Sequence, residues 1–232
     1  MDLPNFKNIF QKSTLNIYLS DKIEVGYNQS GTNLALSGSL TTSNKILFID
    51  DIVLDVISKD DRSYRQFGWE QFRPHKFTVG NFQGMDLKMA SQFFITPTSP
   101  FQYNIFFSDQ ETYQKISPLS KTIKEAWQFA LVKNSQPAKP VIPRLLFESF
   151  IKEKLVTELW EEIKKASIWE KGEYTLTMVV RIKNPNQNFE LQKSFQLTDA
   201  NIEYLNKNSN QILAELCNQS KIQNISFAAD II

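Results

Sequence analysis

Residues 46–58 read Ile-Leu-Phe-Ile-Asp-Asp-Ile-Val-Leu-Asp-Val-Ile-Ser, and this run decides the fold class. It is apolar on both faces, rich in β-branched residues and interrupted only by Asp50-Asp51. A strand with so few residues fit to face water belongs in the middle of a sheet. The paired carboxylates then mark a bulge or turn within it.

Toward the N-terminus the period stays at two. Leu15, Ile17 and Leu19 share one face, and so do Ile23, Val25 and Tyr27; Asn28-Gln-Ser-Gly31 is a turn. Leu34, Leu36, Gly38 and Leu40 alternate with Ala35, Ser37, Ser39 and Thr41, as in a half-buried strand that Thr42–Lys45 closes. The first dozen residues, with Pro4, read as a lead-in arm.

Toward the C-terminus, Lys59-Asp-Asp-Arg62 is a charged turn into Arg-Ser-Tyr-Arg-Gln-Phe-Gly-Trp-Glu-Gln-Phe-Arg-Pro-His-Lys-Phe, residues 62–77. Phe67 and Trp69 share a strand face and are expected as a core aromatic pair. Asn81–Gly84 reads as a loop. Gln92–Thr96 and Gln102–Phe107 read as strands around a Pro97–Pro100 turn. Short strands at regular spacing without helices predict an antiparallel β-sandwich over residues 1–115. Its rhythm is immunoglobulin-like or arrestin-like by architectural analogy alone, with a partly open barrel as the next choice.

After Asp109 the pattern turns helical, making the chain α+β as a whole. Thr122-Ile-Lys-Glu125 has the form of a capping box, followed by Ile123, Ala126, Trp127, Ala130 and Leu131 on one stripe. Residues 116–143 are thus a helix and a Pro-rich linker. One long helix is expected from Arg144 to Ser167, its stripe of Phe147, Ile151, Leu155, Leu159 and Ile163 widened by Leu146, Phe150, Val156 and Trp160. Beyond Gly172, residues 174–182 and 189–197 form a β-hairpin about Asn184–Asn188. Asp199 is placed as the N-cap of a helix that restarts after Asn208-Ser-Asn210 and carries Cys217. A last strand holds Ile225, Phe227 and Ala229. The 144–232 segment is either a separate α+β domain or the completion of a single domain with 1–115.

Composition excludes more chemistry than it suggests. A net charge of +1 supplies no field to draw in a polyanion or an anionic membrane. One cysteine, Cys217, permits no intrachain disulfide and fits a reducing compartment. The first residues lack a basic region followed by an apolar run, and no apolar stretch approaches the roughly 20 residues of a membrane span. A cytoplasmic protein with no membrane association is expected. One histidine and one cysteine leave no His/Cys zinc set. Asp50, Asp51, Asp55, Asp60 and Asp61 lack the glycine that bends a calcium loop. No Gly-x-Gly-x-x-Gly, phosphate loop or Gly-x-Ser-x-Gly elbow occurs, so no cofactor is expected.

The candidate binding residues are Arg65, Trp69, Arg73, His75 and Trp160. The expected function is non-catalytic: an interaction, adaptor or assembly protein whose protein partner, self or other, meets a sheet edge or the 144–167 helix. One alternative is a hydrolase or carbohydrate-active enzyme with paired carboxylates, drawn from Glu24, Asp55, Glu70 and Glu111, near Trp69. Another is local single-stranded nucleic-acid binding through 62–77, with aromatics stacking on bases and arginines meeting phosphates; nucleic acid is otherwise not an expected partner.

Overall fold

The computed structural model describes residues 14–72, 77–79, 82–84, 88–135, 142–166, 169–183, 186–219 and 225–232. The 46–58 run forms β3 (Leu47–Ser58), and it is central. One side pairs with β10 (Gly172–Ile182), the other with β4 (Tyr64–Phe72) and the short β8 (Phe93–Ile95), all antiparallel. Leu47, Ile49, Ile52, Leu54 and Val56 are buried on its inner face. Arg181 pairs with Asp51 and Ile182 with Ile49, so Asp50 is the extra residue of a bulge. Both carboxylates are engaged on the outside, Asp50 by the Gln92 amide and Asp51 by Arg181 at 3.0 Å.

The remaining strands extend this ladder. With β1 (Thr14–Asn28), β2 (Gly31–Ser43), β9 (Phe101–Asp109), β11 (Gln187–Leu197) and β12 (Ile225–Asp230), the order is β11-β10-β3-β4-β9-β2-β1-β12. A two-residue strand, Lys88–Met89, adds to β4, and Phe77–Val79 pairs separately with Phe82–Gly84, where a loop was expected.

This is one continuous sheet that curls into a half-barrel, not the two facing sheets of a sandwich. Its end strands meet at a single bridge, Phe195 to Ile231, beside which the Ile232 N–H donates to the Ser194 carbonyl at 2.7 Å. Across the interior the Tyr103 hydroxyl of β9 lies 3.8 Å from the Met178 sulfur of β10, although β3 and β4 stand between them along the ladder. Alternation identifies the residues that face inward. It is silent on whether the opposite wall is a second sheet or the same sheet returning, which is why the immunoglobulin-like and arrestin-like detail fails.

Helices cover one end of this sheet. The first, α1 (Gln110–Asn134), follows β9 directly, because the Asp109 carboxylate accepts from the Glu111 and Thr112 N–H groups at 2.9 and 3.1 Å. The expected start at Thr122 is therefore wrong: Thr122 is mid-helix, and its hydroxyl donates to the Pro118 carbonyl at 3.0 Å. Trp127 of α1 is buried and packs edge-on to Phe150, 5.1 Å between centroids.

The expected single helix from Arg144 to Ser167 is two: α2 (Pro143–Phe150) and α3 (Lys154–Lys165). Neither glycine nor proline marks the break. On one uninterrupted helix Phe150 and Val156 would lie about 120° apart around the axis. Breaking at Ile151–Glu153 lets Phe150, Val156 and Trp160 all turn inward, each at most 5% exposed, while Leu155 is left outside at 52%. The residues read as margin are thus the core. Last come α4 (Asp199–Asn208), capped by Thr198 rather than Asp199, and α5 (Asn210–Leu216).

The tryptophan that joins helices to sheet is Trp169. Its ring stacks on Phe67 at 5.9 Å and 10°, and its indole N–H donates to the Gly26 carbonyl of β1 at 2.8 Å.

Candidate functional site

A cleft of about 580 Å³ lies where the β3–β4 turn, α1, α3 and the segment before β10 converge. The turn is fixed locally: Asp61 accepts from the Ser63 N–H at 2.9 Å, which holds its carboxyl below the usual range. Gly172 suits the position beside it because its φ of +157° is one that L side chains rarely adopt; the Asp60 carboxylate near its α-carbon is exposed and could move aside. Arg65, Lys115, Lys165 and Lys171 line the cleft together with Asp60, Asp61, Glu162 and Glu170.

The cations are already matched. Arg65 meets Glu111 at 3.0 Å, and Lys115 meets the same carboxylate at 2.6 Å. These two donors, Lys115 foremost, hold the Glu111 carboxyl below its ordinary value. Lys165 pairs with Glu162 at 2.7 Å and Lys171 with Asp199 at 2.6 Å. Tyr174 is pushed up first by burial, against the opposing hydrogen bond with the Glu170 backbone, while the nearby charges of Glu170, Asp61 and Asp60 raise it further. The charged lining is thus balanced, four cations against four carboxylates.

The sequence candidates do not converge. Arg65 lines the cleft. Trp69 packs elsewhere, half-buried among Phe72 at 5.5 Å and Phe93 at 6.0 Å, with Phe93 stacked on Phe101 at 4.2 Å. These rings fill the seam where β4 leaves β3 and β8 takes its place. Trp160 is buried under the helices, 5% exposed. Arg73 and His75 lie outside the described residues.

The carboxylates considered for paired acid–base work are each engaged by different partners. Asp55 accepts from Tyr64 and Gln66 on the outer face. Glu70 is bonded by Ser108, Glu111 belongs to Arg65 and Lys115, and Glu24 lies 3.4 Å from the Ser226 hydroxyl. Among the described residues no group of three or more His, Cys, Asp or Glu is placed to hold a metal ion. Cys217 is fully buried, which pushes its thiol up to about 12.

Two further features escaped the sequence reading. Tyr27, Thr32, Trp160, Trp169 and Leu205 line a recess of about 30 Å³ between the β1–β2 hairpin and the helices. The outer side of the helical layer exposes Phe129 at 68%, Val132 at 73%, Ile142 and Leu145 at 60% each, and Leu155. Phe129 and Val132 lie on the side of α1 opposite Trp127, three residues apart and therefore neighbours. Their spacing from the buried stripe is legible in hindsight, but a lone exposed apolar residue carries no signal until its neighbours are known.

No family model, curated protein or solved structure matches this chain. Among the described residues no helix is long and apolar enough to cross a membrane.

Proposed function

We propose that the chain is a non-catalytic interaction or assembly protein, and that a partner protein docks on the outer face of α1, α2 and α3. The observation that carries this reading is the set of large apolar side chains left in water, Phe129 and Val132 of α1, Ile142 at the N-cap of α2, Leu145 of α2 and Leu155 of α3. Each is more than half exposed, although these helices also bury Ile116, Ile123, Trp127, Phe150, Val156 and Trp160. Charged pairs flank them, Lys121 with Glu125, Arg144 with Glu148 and Lys154 with Glu158, in the manner of an apolar centre with a polar rim. A sheet edge is the weaker route, because the two end strands converge at Phe195 and Ile231 and leave less open ladder for an added strand. The nucleic-acid alternative draws less support still, with Arg65 engaged by Glu111 and Trp69 packed among phenylalanines.

A reducing, cytoplasmic setting is part of the proposal, resting on the single buried cysteine. So is a single folding unit, since β10 pairs with β3 and β12 with β1.

The test compares wild type with F129E/L145E, two outward-facing changes that leave the core intact. Size measurement on native lysate is expected to place the wild type in a complex that the variant loses. A strictly monomeric wild type, or a complex the variant retains, would sink the reading.

A further inference from the structure

The recess beneath Trp160 contains two polar atoms that protein alone does not satisfy. Trp160 Nε1 and Thr32 Oγ1 have no hydrogen-bond partner, and their residues are 5% and 1% exposed. Both residues line the same space. A buried hydroxyl or indole N–H left without a partner keeps its full desolvation cost, so two in one recess call for an occupant.

The other polar groups there are differently placed. The Tyr27 hydroxyl donates to the Leu205 carbonyl at 2.6 Å, and its burial pushes the phenol up to about 12; the Trp169 N–H is taken by Gly26. Tyr27 keeps oxygen lone pairs for a further donor, while Asn28, Asn206 and Lys164 stand among the lining residues.

We infer that this recess is a hydration site, holding one or two ordered waters that accept from the Trp160 indole N–H and bond the Thr32 hydroxyl. Size decides between water and a larger guest. A water needs at least about 10–15 Å³ of such space, whereas a dry cavity that admits benzene is nearer 150 Å³. The observed 30 Å³ lies in the first range. Chemistry agrees, because apolar cavities stay empty and this one presents a donor, a hydroxyl and neighbouring amides. The water would tie β2, through Thr32, to α3, through Trp160, at a point where the protein supplies no direct polar bond.

The wild-type protein can be tested without mutation. Nuclear Overhauser transfer from water to the Trp160 indole proton is expected, with a residence time long enough to reverse the sign relative to surface hydration. The Thr32→Val variant keeps the shape and removes the hydroxyl. Its melting temperature is expected to fall by a few degrees and the cross-peak to weaken or vanish. A dry recess gives the opposite pair of results: no transfer to a well-protected indole proton, and a T32V melting temperature equal to or above wild type. Either of those would overturn the inference.

Discussion

Gly38 occupies an inward position of β2, in line with Leu34, Leu36 and Leu40, and the side chain it lacks is supplied by its cross-strand partner Tyr103. A Cβ at Gly38 would stand 1.9 Å from the Tyr18 carbonyl oxygen and 2.6 Å from the Tyr103 hydroxyl, which donates to that same carbonyl at 3.0 Å. The backbone oxygen cannot swing aside, so Gly38→Ala should cost at least about 1–3 kcal/mol, the usual range for overpacking. Gly68 is the internal control: it too lies within a strand, yet nothing stands within 4 Å of a Cβ there. Gly68→Ala is expected to leave the stability read from urea titration within about 0.5 kcal/mol of wild type or to raise it slightly. Equal midpoints for the two variants would refute the argument. Alternation alone presents Gly38 as a weak place in a good strand, because Tyr103 is distant in sequence and no one-dimensional pattern couples them. The same limit explains the tryptophans. Trp69 reads as core from its parity with Phe67, whereas the ring that stacks on Phe67 is Trp169, contributed by the segment after α3. Arg65 likewise looks like a strand-end charge until α1 brings Glu111 to it.

Element by element, the long strands were legible, while the short pairings at 77–89 and the helix limits were not. The 172–182 and 187–197 hairpin, the central place of β3 and its bulge at Asp50 follow from periodicity and two carboxylates. Helix starts depend on which of several polar residues turns its side chain onto free N–H groups, and Thr122 offered a better-looking pattern than Asp109. Asp109 prevailed because it is buried, 1% exposed, where its carboxylate also takes the Thr112 hydroxyl at 2.6 Å. Pro118 lies inside α1, in its third turn, so this proline does not mark a helix start. The two positions separate cleanly by mutation. Asp109→Ala should lower stability by about 1–2 kcal/mol, the cost of an N-cap, whereas Thr122→Ala should stay within about 0.5 kcal/mol. Denaturant midpoints read by far-ultraviolet dichroism would check both. A larger loss at Thr122 than at Asp109 would return the helix start to the sequence-based position. The break between α2 and α3 had no sequence signal of its own kind, because it is imposed by the need to bury Phe150, Val156 and Trp160 against one surface.

For the molecule as a whole, the strands of the second half are not an appendix to the first. Without β10, β3 would present an open central edge, and Leu176, Met178 and Val180, all buried, would leave the interior. Without β12, β1 would lose its partners from Lys22 to Tyr27. A fragment of residues 1–115 therefore exposes apolar strand edges on both sides, a recipe for aggregation. It also cuts α1 near its start and removes Trp169 from Phe67. Sequence could not decide between two domains and one, since the pairing of β3 with β10 joins segments separated by all of α1–α3. The proposed single unit makes a sharp prediction. In a urea titration of the full chain, tryptophan fluorescence, reporting Trp69, Trp127, Trp160 and Trp169 together, should fall on the same curve as far-ultraviolet dichroism, as a cooperative transition requires. The isolated 1–115 fragment, which keeps only Trp69 of the four, should be insoluble or show no cooperative transition. A soluble fragment that unfolds at its own midpoint, matched by a first step in the full chain, would establish two domains. Coincident curves with an unfolded fragment would mean that the curled sheet, assembled from both halves of the chain, is the smallest piece that can bury its own interior.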